Sequence, residues 1–345
     1  MIKQNLRNDI FFLFLLFTLT YPLFYYVYKF SIPSIGIQDF YAYYKLFESF
    51  DIASTESPFN TRLLGPFLVF ILNKTGLYYS STIAFSEIQY AQSVYFNAIL
   101  VNYIAIIFSC FFIWKITREI CNDYFGSMSV VVFLLLSFGT MFFSIGGGTD
   151  GVSVLLIALS YYFYRKGSWW IVPVFVISIF QREFLFMLFF VLGAIDLWQS
   201  KKKDNYIITI MILCIAFFAI YLGLRKTIFY TERWSYQLSG IEYLKSFSVF
   251  KFKLDFLMQV IVSQNILLFY FLLVWFKWIN NIPFHQKSLV KILILSVFAF
   301  LVVVISRLDT SGGRLFYMFY PILIPILFSE FYKLKEYSPE NEVNN

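Results

Sequence analysis

A chain of 345 residues in which 60% are hydrophobic and only 14% charged departs far from the roughly 45–50% apolar and about 25% charged side chains of soluble domains. Too few charges are present to cover a soluble surface of this size, which excludes a soluble globular domain, a disordered chain and a secreted disulfide scaffold. The net charge of +7 does not point to nucleic acid, because Lys and Arg sit mainly at the ends of apolar runs and form no dense basic face.

In chain order, Lys3 and Arg7 form a short basic leader to the apolar run Asn8–Phe30. That run is long enough to span a bilayer and no small-residue cleavage site follows it, so it reads as a retained signal-anchor. Residues 31–92 make a first outer loop, polar and aromatic up to 61. Within it Leu63–Leu72 is apolar but too short for a full span, which predicts an interfacial or re-entrant helix. Further apolar runs lie near 93–114, 127–146, 151–164, 168–181, 184–198, 205–224, 256–278, 289–306 and 314–332. The expected fold is therefore all-α: a single polytopic integral-membrane domain over 1–345, with about ten transmembrane helices. No internal repeat of the kind that builds many transporters is visible.

Basic residues at alternate ends orient the helices. With a cytoplasmic N-terminus, the inner links hold Lys115 and Arg118, Arg165 and Lys166, Lys201 to Lys203, then Lys277, Lys287 and Lys291, and the inner tail holds Lys333 and Lys335. Every short inner link is then basic, as the positive-inside rule requires. Lys29 and the basic segment 225–255 run against it; that segment, with Phe229, Tyr230, Trp234 and Tyr236, suits an amphipathic element along the outer interface.

On the outer side the charges form compact groups of mixed sign. Asp39 suits either a general base for an acceptor hydroxyl or the N-cap of a helix over Phe40–Phe50. Glu48, Asp51 and Glu56 lie further along this loop. Arg62, in Pro58-Phe59-Asn60-Thr61-Arg62-Leu63-Leu64-Gly65-Pro66, suits a phosphate grip or a snorkelling anchor. The Gly146–Gly151 turn offers either a backbone nest with Asp150 as a ligand for a sugar hydroxyl or metal, or a tight turn capped by Asp150. Arg182 and Glu183 are adjacent; if 168–198 forms one bent segment they are buried and need partners. Arg307, Asp309 and Arg314 bracket a Gly-Gly turn, as an anion cradle or as an ordinary loop. Tyr41, Tyr43, Tyr44 and Trp234 fit sugar stacking or an interfacial belt. Cys110, Cys121 and Cys214 lack metal-type spacing, and the one histidine, His285, argues against a His-based metal site or triad.

Together these features resemble the GT-C superfamily of membrane glycosyltransferases. Asp39 occupies the place of the family's first-loop catalytic acid, although Gln38 stands where many members carry a second acid. Residues 58–66 resemble the Arg-containing, Leu/Pro-rich entry of bacterial members. Asp150 matches the acid of the second outer loop, and Arg314 ahead of Tyr320-Pro321-Ile322 matches the late Arg before a Pro-containing last helix. The resemblance implies a bacterial inner membrane with both termini cytoplasmic, and transfer of a sugar from a polyprenyl-phosphate donor to a glycan, lipid or protein acceptor on the outer face. It makes Asp39 the base, gives Arg62, Asp150, Arg182, Glu183, Arg307, Asp309 and Arg314 to substrate, and leaves a Mg²⁺ or Mn²⁺ requirement open. An O-antigen-type polysaccharide polymerase is the nearest rival. A transporter or flippase fits less well, because most charges sit at helix ends on one face.

Overall fold

The computed structural model describes residues 2–30, 38–55, 59–78, 91–121, 124–135, 137, 145–146, 148–200, 204–229, 275, 286–305 and 317–336. Among them are eleven α-helices, two 3₁₀ turns and no strand. The helices are α1 (Ile2–Phe30), α2 (Gln38–Ser49), α3 (Leu64–Lys74), α4 (Gln92–Cys121), α5 (Tyr124–Leu135), α6 (Asp150–Arg165), α7 (Ile171–Ser178), α8 (Phe184–Gln199), α9 (Asn205–Thr227), α10 (Gln286–Ile305) and α11 (Tyr320–Glu336). The 3₁₀ turns Phe59–Thr61 and Tyr317–Phe319 precede α3 and α11.

Three of these helices are long and apolar enough to cross a membrane: Arg7–Lys29, Gln92–Ile120 and Asn205–Thr227. They occupy different positions in the bundle. In α4, 72% of the apolar window is buried, against 22% in α1 and 17% in α9. A helix apolar on every side needs apolar surroundings on every side. For α4 these are other helices: α1, α2, α3, α5, α6 and α11 all pack on it. In α1 and α9 much of the apolar surface is left outward, including Phe11, Phe14 and Leu19 on one and Ile212, Ile215 and Ile220 on the other. The inward stripe of α1 is aromatic. Phe12 stacks on Trp114 with ring centroids 4.1 Å apart, and Thr20 shares a 2.8 Å hydrogen bond with the Tyr103 hydroxyl.

The expected runs map unevenly onto the helices. Of the run 127–146, α5 covers the part up to Leu135, and 136 and 138–144 lie outside the described residues. The run 168–181 yields the eight-residue α7, followed by a turn from Ile179 to Glu183. Leu63–Leu72 becomes α3, eleven residues long, with Phe67, Leu68 and Ile71 exposed. The segments 230–255 and 256–278, apart from Trp275, lie outside the described residues, as do Lys201 to Lys203 and His285.

Ion pairs fix which helix ends lie together. Asp9 at the start of α1 meets Lys115 near the end of α4 at 2.6 Å, while Gln92 at the start of α4 donates to Tyr28 at the end of α1 at 2.9 Å. These helices therefore run antiparallel. Lys166 beyond α6 meets Glu119 of α4 at 2.6 Å. Asp196 near the end of α8 accepts from Lys291 of α10 at 2.5 Å and from the Tyr164 hydroxyl at 2.8 Å. Asp9, Lys115, Glu119, Lys166, Asp196 and Lys291 thus share one end of the bundle. Asp150, at the opposite end of α6 from Lys166, belongs to the other.

Candidate functional site

At that other end, links far apart in sequence come together. α7 ends in tight turns, with Phe180 N–H to Ile177 O at 3.2 Å and Gln181 N–H to Ser178 O at 3.0 Å. This delivers three consecutive polar residues, Gln181, Arg182 and Glu183, to the bundle end. Asp150 opens α6 in the turn after the glycines, which Asn102 of α4 holds by donating to the carbonyls of Gly146 and Gly148, both at 2.7 Å. Arg62 lies two residues before α3, after the 3₁₀ turn.

Arg182 pairs with Asp150 through its Nη2 and the Asp150 Oδ1, and their side chains are 7% and 2% exposed. Arg62 faces Glu183 less closely, at 3.9 Å, with side chains 12% and 27% exposed. Two ionic pairs thus sit side by side, one closed and one loose. Asp150 is not the cap of its turn: Thr149 holds the N-cap position and Asp150 is the first helical residue. There the helix dipole favours its charge, and its carboxylate is turned to Arg182. Arg182 and Glu183 are separated from one bent span by the turn after α7, yet they are partnered as buried charges must be.

Burial opposes the charge on Arg62, but the oxygens of Tyr43, Glu183 and Tyr221 outweigh it and raise its pKa. Burial likewise opposes the charge on Glu183, and Arg62, its own backbone, Arg182 and Arg225 outweigh it, so its pKa is lowered. Among the described residues, Arg62 Nε, Glu183 Oε2 and Asn60 Oδ1 are buried atoms with no hydrogen bond. Donor and acceptor capacity is therefore unspent on the looser pair. Because the Glu183 pKa is depressed on folding, its contribution is complete above the unfolded value of about 4.3 and is lost as pH falls through the folded value. Glu183→Gln should lower the apparent melting temperature at neutral pH, by the equivalent of roughly 1 kcal/mol. The gap between variant and parent should narrow progressively as pH falls below the unfolded value. A melting-temperature series against pH checks both.

Around these charges, Asn60 donates to the Phe229 carbonyl at 3.1 Å and the hydroxyls of Thr61 and Tyr221 lie 3.5 Å apart. Thr61, Phe180, Tyr221, Arg225 and Phe229 line a narrow crevice beside these charges. Tyr43 does not present an open ring for stacking. It is fully buried, packed on Phe47 and edge-on to Phe59 at 5.0 Å, with its hydroxyl accepting from Thr149 at 3.4 Å. Tyr44 donates to Glu48 at 2.9 Å, and Tyr41 is exposed.

Asp39 is not a cap either, since α2 begins at Gln38 and places Asp39 second in the helix, one turn before Tyr43. Its side chain lies outside the described residues, as do Glu56, Arg307, Asp309, Arg314 and Trp234. Arg62, Asp150, Arg182 and Glu183 are brought together. Sequence reading missed Gln181, Thr149, Tyr221 and Arg225 in this cluster; their only signal is polarity within or beside an apolar run. Cys110 and Cys214 are buried free thiols. Among the described residues no group of three or more His, Cys, Asp or Glu is placed to hold a metal ion.

No family model, curated protein or solved structure matches the chain.

Proposed function

We propose that this chain is a polytopic membrane glycosyltransferase, with about ten spans, that moves a sugar from a polyprenyl-phosphate donor to a glycan, lipid or protein acceptor on the non-cytoplasmic face. The observation that carries the reading is the cluster of Arg62, Asp150, Arg182 and Glu183. In a chain with 14% charged residues, two guanidiniums and two carboxylates from three separate links meet at one end of an apolar bundle. Charges gathered within a membrane protein are costly and mark functional sites by default. The other end carries Lys115, Lys166 and Lys291, the basic links that favour the cytoplasm, which supports reading the cluster as the outer end.

The chemistry fits these groups. A base removes the acceptor hydroxyl proton, the oxygen forms a bond to the sugar's anomeric carbon, and the bond from that carbon to the phosphate oxygen breaks. The electron pair leaves with the phosphate, where a guanidinium fork stabilises the developing charge. Arg62 supplies the fork. Asp39, at the start of α2 and one turn before the Tyr43 that contacts Arg62, supplies the base. Arg307, Asp309 and Arg314 complete the substrate contacts on the resemblance alone, and a Mg²⁺ or Mn²⁺ requirement is left to the assay.

The test is sugar transfer by the purified chain from a polyprenyl-phosphate donor, run with and without divalent cation. Asp39→Asn should reduce transfer by about 10²-fold or more without changing the melting temperature. Undiminished transfer would remove Asp39 as base. Failure of the parent chain to use any polyprenyl-phosphate sugar would sink the proposal as a whole.

A further inference from the structure

The four clustered charges sit on three segments distant in sequence, and one uncharged side chain joins all three. Gln181 is 1% exposed. Its Oε1 accepts from the Gly65 N–H at 3.0 Å, and its Nε2 donates to the Thr149 carbonyl at 2.8 Å and to the Ser153 hydroxyl at 3.0 Å. The acceptor and the donor end of the amide are both engaged.

These bonds answer a local need of α3. A helix leaves its first N–H groups without partners inside the helix, and the N-cap residue here is Leu63, which makes no side-chain capping bond. The partners come from a turn 116 residues away. Phe180 O accepts from Leu64 N–H at 3.0 Å, Gln181 accepts from Gly65, and Pro66 has no N–H to offer. The approach is close: a Cβ on Gly65 would lie 2.9 Å from Thr149 Cγ2, so glycine is what lets the α3 entry rest against the segment before Asp150.

We infer that Gln181 is the positioning residue of the cluster, a cap supplied from another segment that sets the entry of α3, and with it Arg62, against Asp150, Arg182 and Glu183. Its effect on catalysis rests on the transferase reading; its effect on the α3 entry does not. Gln181 touches no substrate in this scheme. Losing it lets the Arg62 segment shift relative to the other two, and a displacement of about 1 Å in a reacting site costs on the order of 10²-fold in rate.

The experiment uses the full chain in lipid nanodiscs, with Gln181→Leu and Gln181→Glu. Hydrogen exchange is followed in the peptide containing Gly65, and kcat and KM for transfer from a polyprenyl-phosphate sugar. The leucine variant should exchange that peptide roughly tenfold faster and lose roughly 10²-fold in kcat, with unchanged helical content. Gln181→Glu keeps an oxygen that accepts from the Gly65 N–H in either charge state, so it should hold exchange in that peptide slower than leucine does. Simple loss of packing would not show that rescue. Unchanged exchange in the leucine variant overturns the inference, and so does a glutamate variant indistinguishable from leucine. Should the leucine variant not fold, Gln181→Asn, one methylene too short to reach both partners, carries the same comparison. If exchange behaves as expected while the parent chain transfers no sugar, the positioning role stands and the transferase reading falls.

Discussion

Arg182→Met is expected to be the most damaging single change in the described part of the protein, at about 3–5 kcal/mol of stability. The cost comes from what is left behind. Asp150 is 2% exposed and faces Arg182, so the variant takes the counter-ion from a buried carboxylate. Its place at the first position of α6 returns part of that loss, because a helix N-terminus stabilises a negative charge by roughly 0.3–2 kcal/mol. Asp150→Leu should cost a similar amount by taking the counter-ion from the buried guanidinium. The double variant Asp150→Leu/Arg182→Met should recover most of the loss, since apolar replacement of a buried pair is often neutral or better. Thermal and denaturant unfolding of the four proteins gives the coupling energy directly. Sugar transfer by the double variant then separates two roles. A folded but inactive double variant means the pair meets substrate; a folded, active one means it is framework. A double variant as unstable as either single one would show that the pair is not an isolated unit.

What the sequence made legible follows from how scarce its charges are. Apolar runs announced α1, α4 and α9, and charges left over after orientation announced Arg62, Asp150, Arg182 and Glu183. That they share one end was expected from the alternation of basic links; which of them pair could not be read, because it depends on how α6, α7 and α8 fold back. Gln181 stayed hidden for a different reason. A neutral amide beside an Arg-Glu pair carries no charge signal, and its importance lies in reaching Gly65 and Thr149, which only the tertiary structure brings near. Tyr43 was visible but left between sugar stacking and an interfacial belt, whereas here its buried ring fills the space between α2 and the Phe59 turn. The capping roles of Asp39 and Asp150 failed at helix starts one residue or more earlier than the pattern implied, which is where pattern reading is weakest.

Arg62→Lys should leave the fold nearly intact and lower kcat by about 10²-fold. The contrast with Arg182 is geometric. Arg62 stands 3.9 Å from Glu183 with 12% of its side chain exposed, whereas the Arg182 guanidinium lies directly on Asp150 and is 7% exposed. Lysine keeps the charge that neutralises Glu183, so stability changes little, but it gives up the planar fork that matches two phosphate oxygens at once. Because the phosphate gains charge as the bond to the sugar breaks, the loss should fall on kcat more than on KM. Glu183→Gln supplies the complement. Without its counter-ion, Arg62 is released toward an incoming phosphate, so this variant should hold donor more tightly than the parent even though it folds less stably at neutral pH. Kinetics with a short-chain polyprenyl-phosphate sugar check both, alongside melting curves. Equal kcat in Arg62→Lys and the parent would mean that Arg62 acts only as a point charge or not at all, and the phosphate fork would then have to be sought in the arginines at 307 and 314.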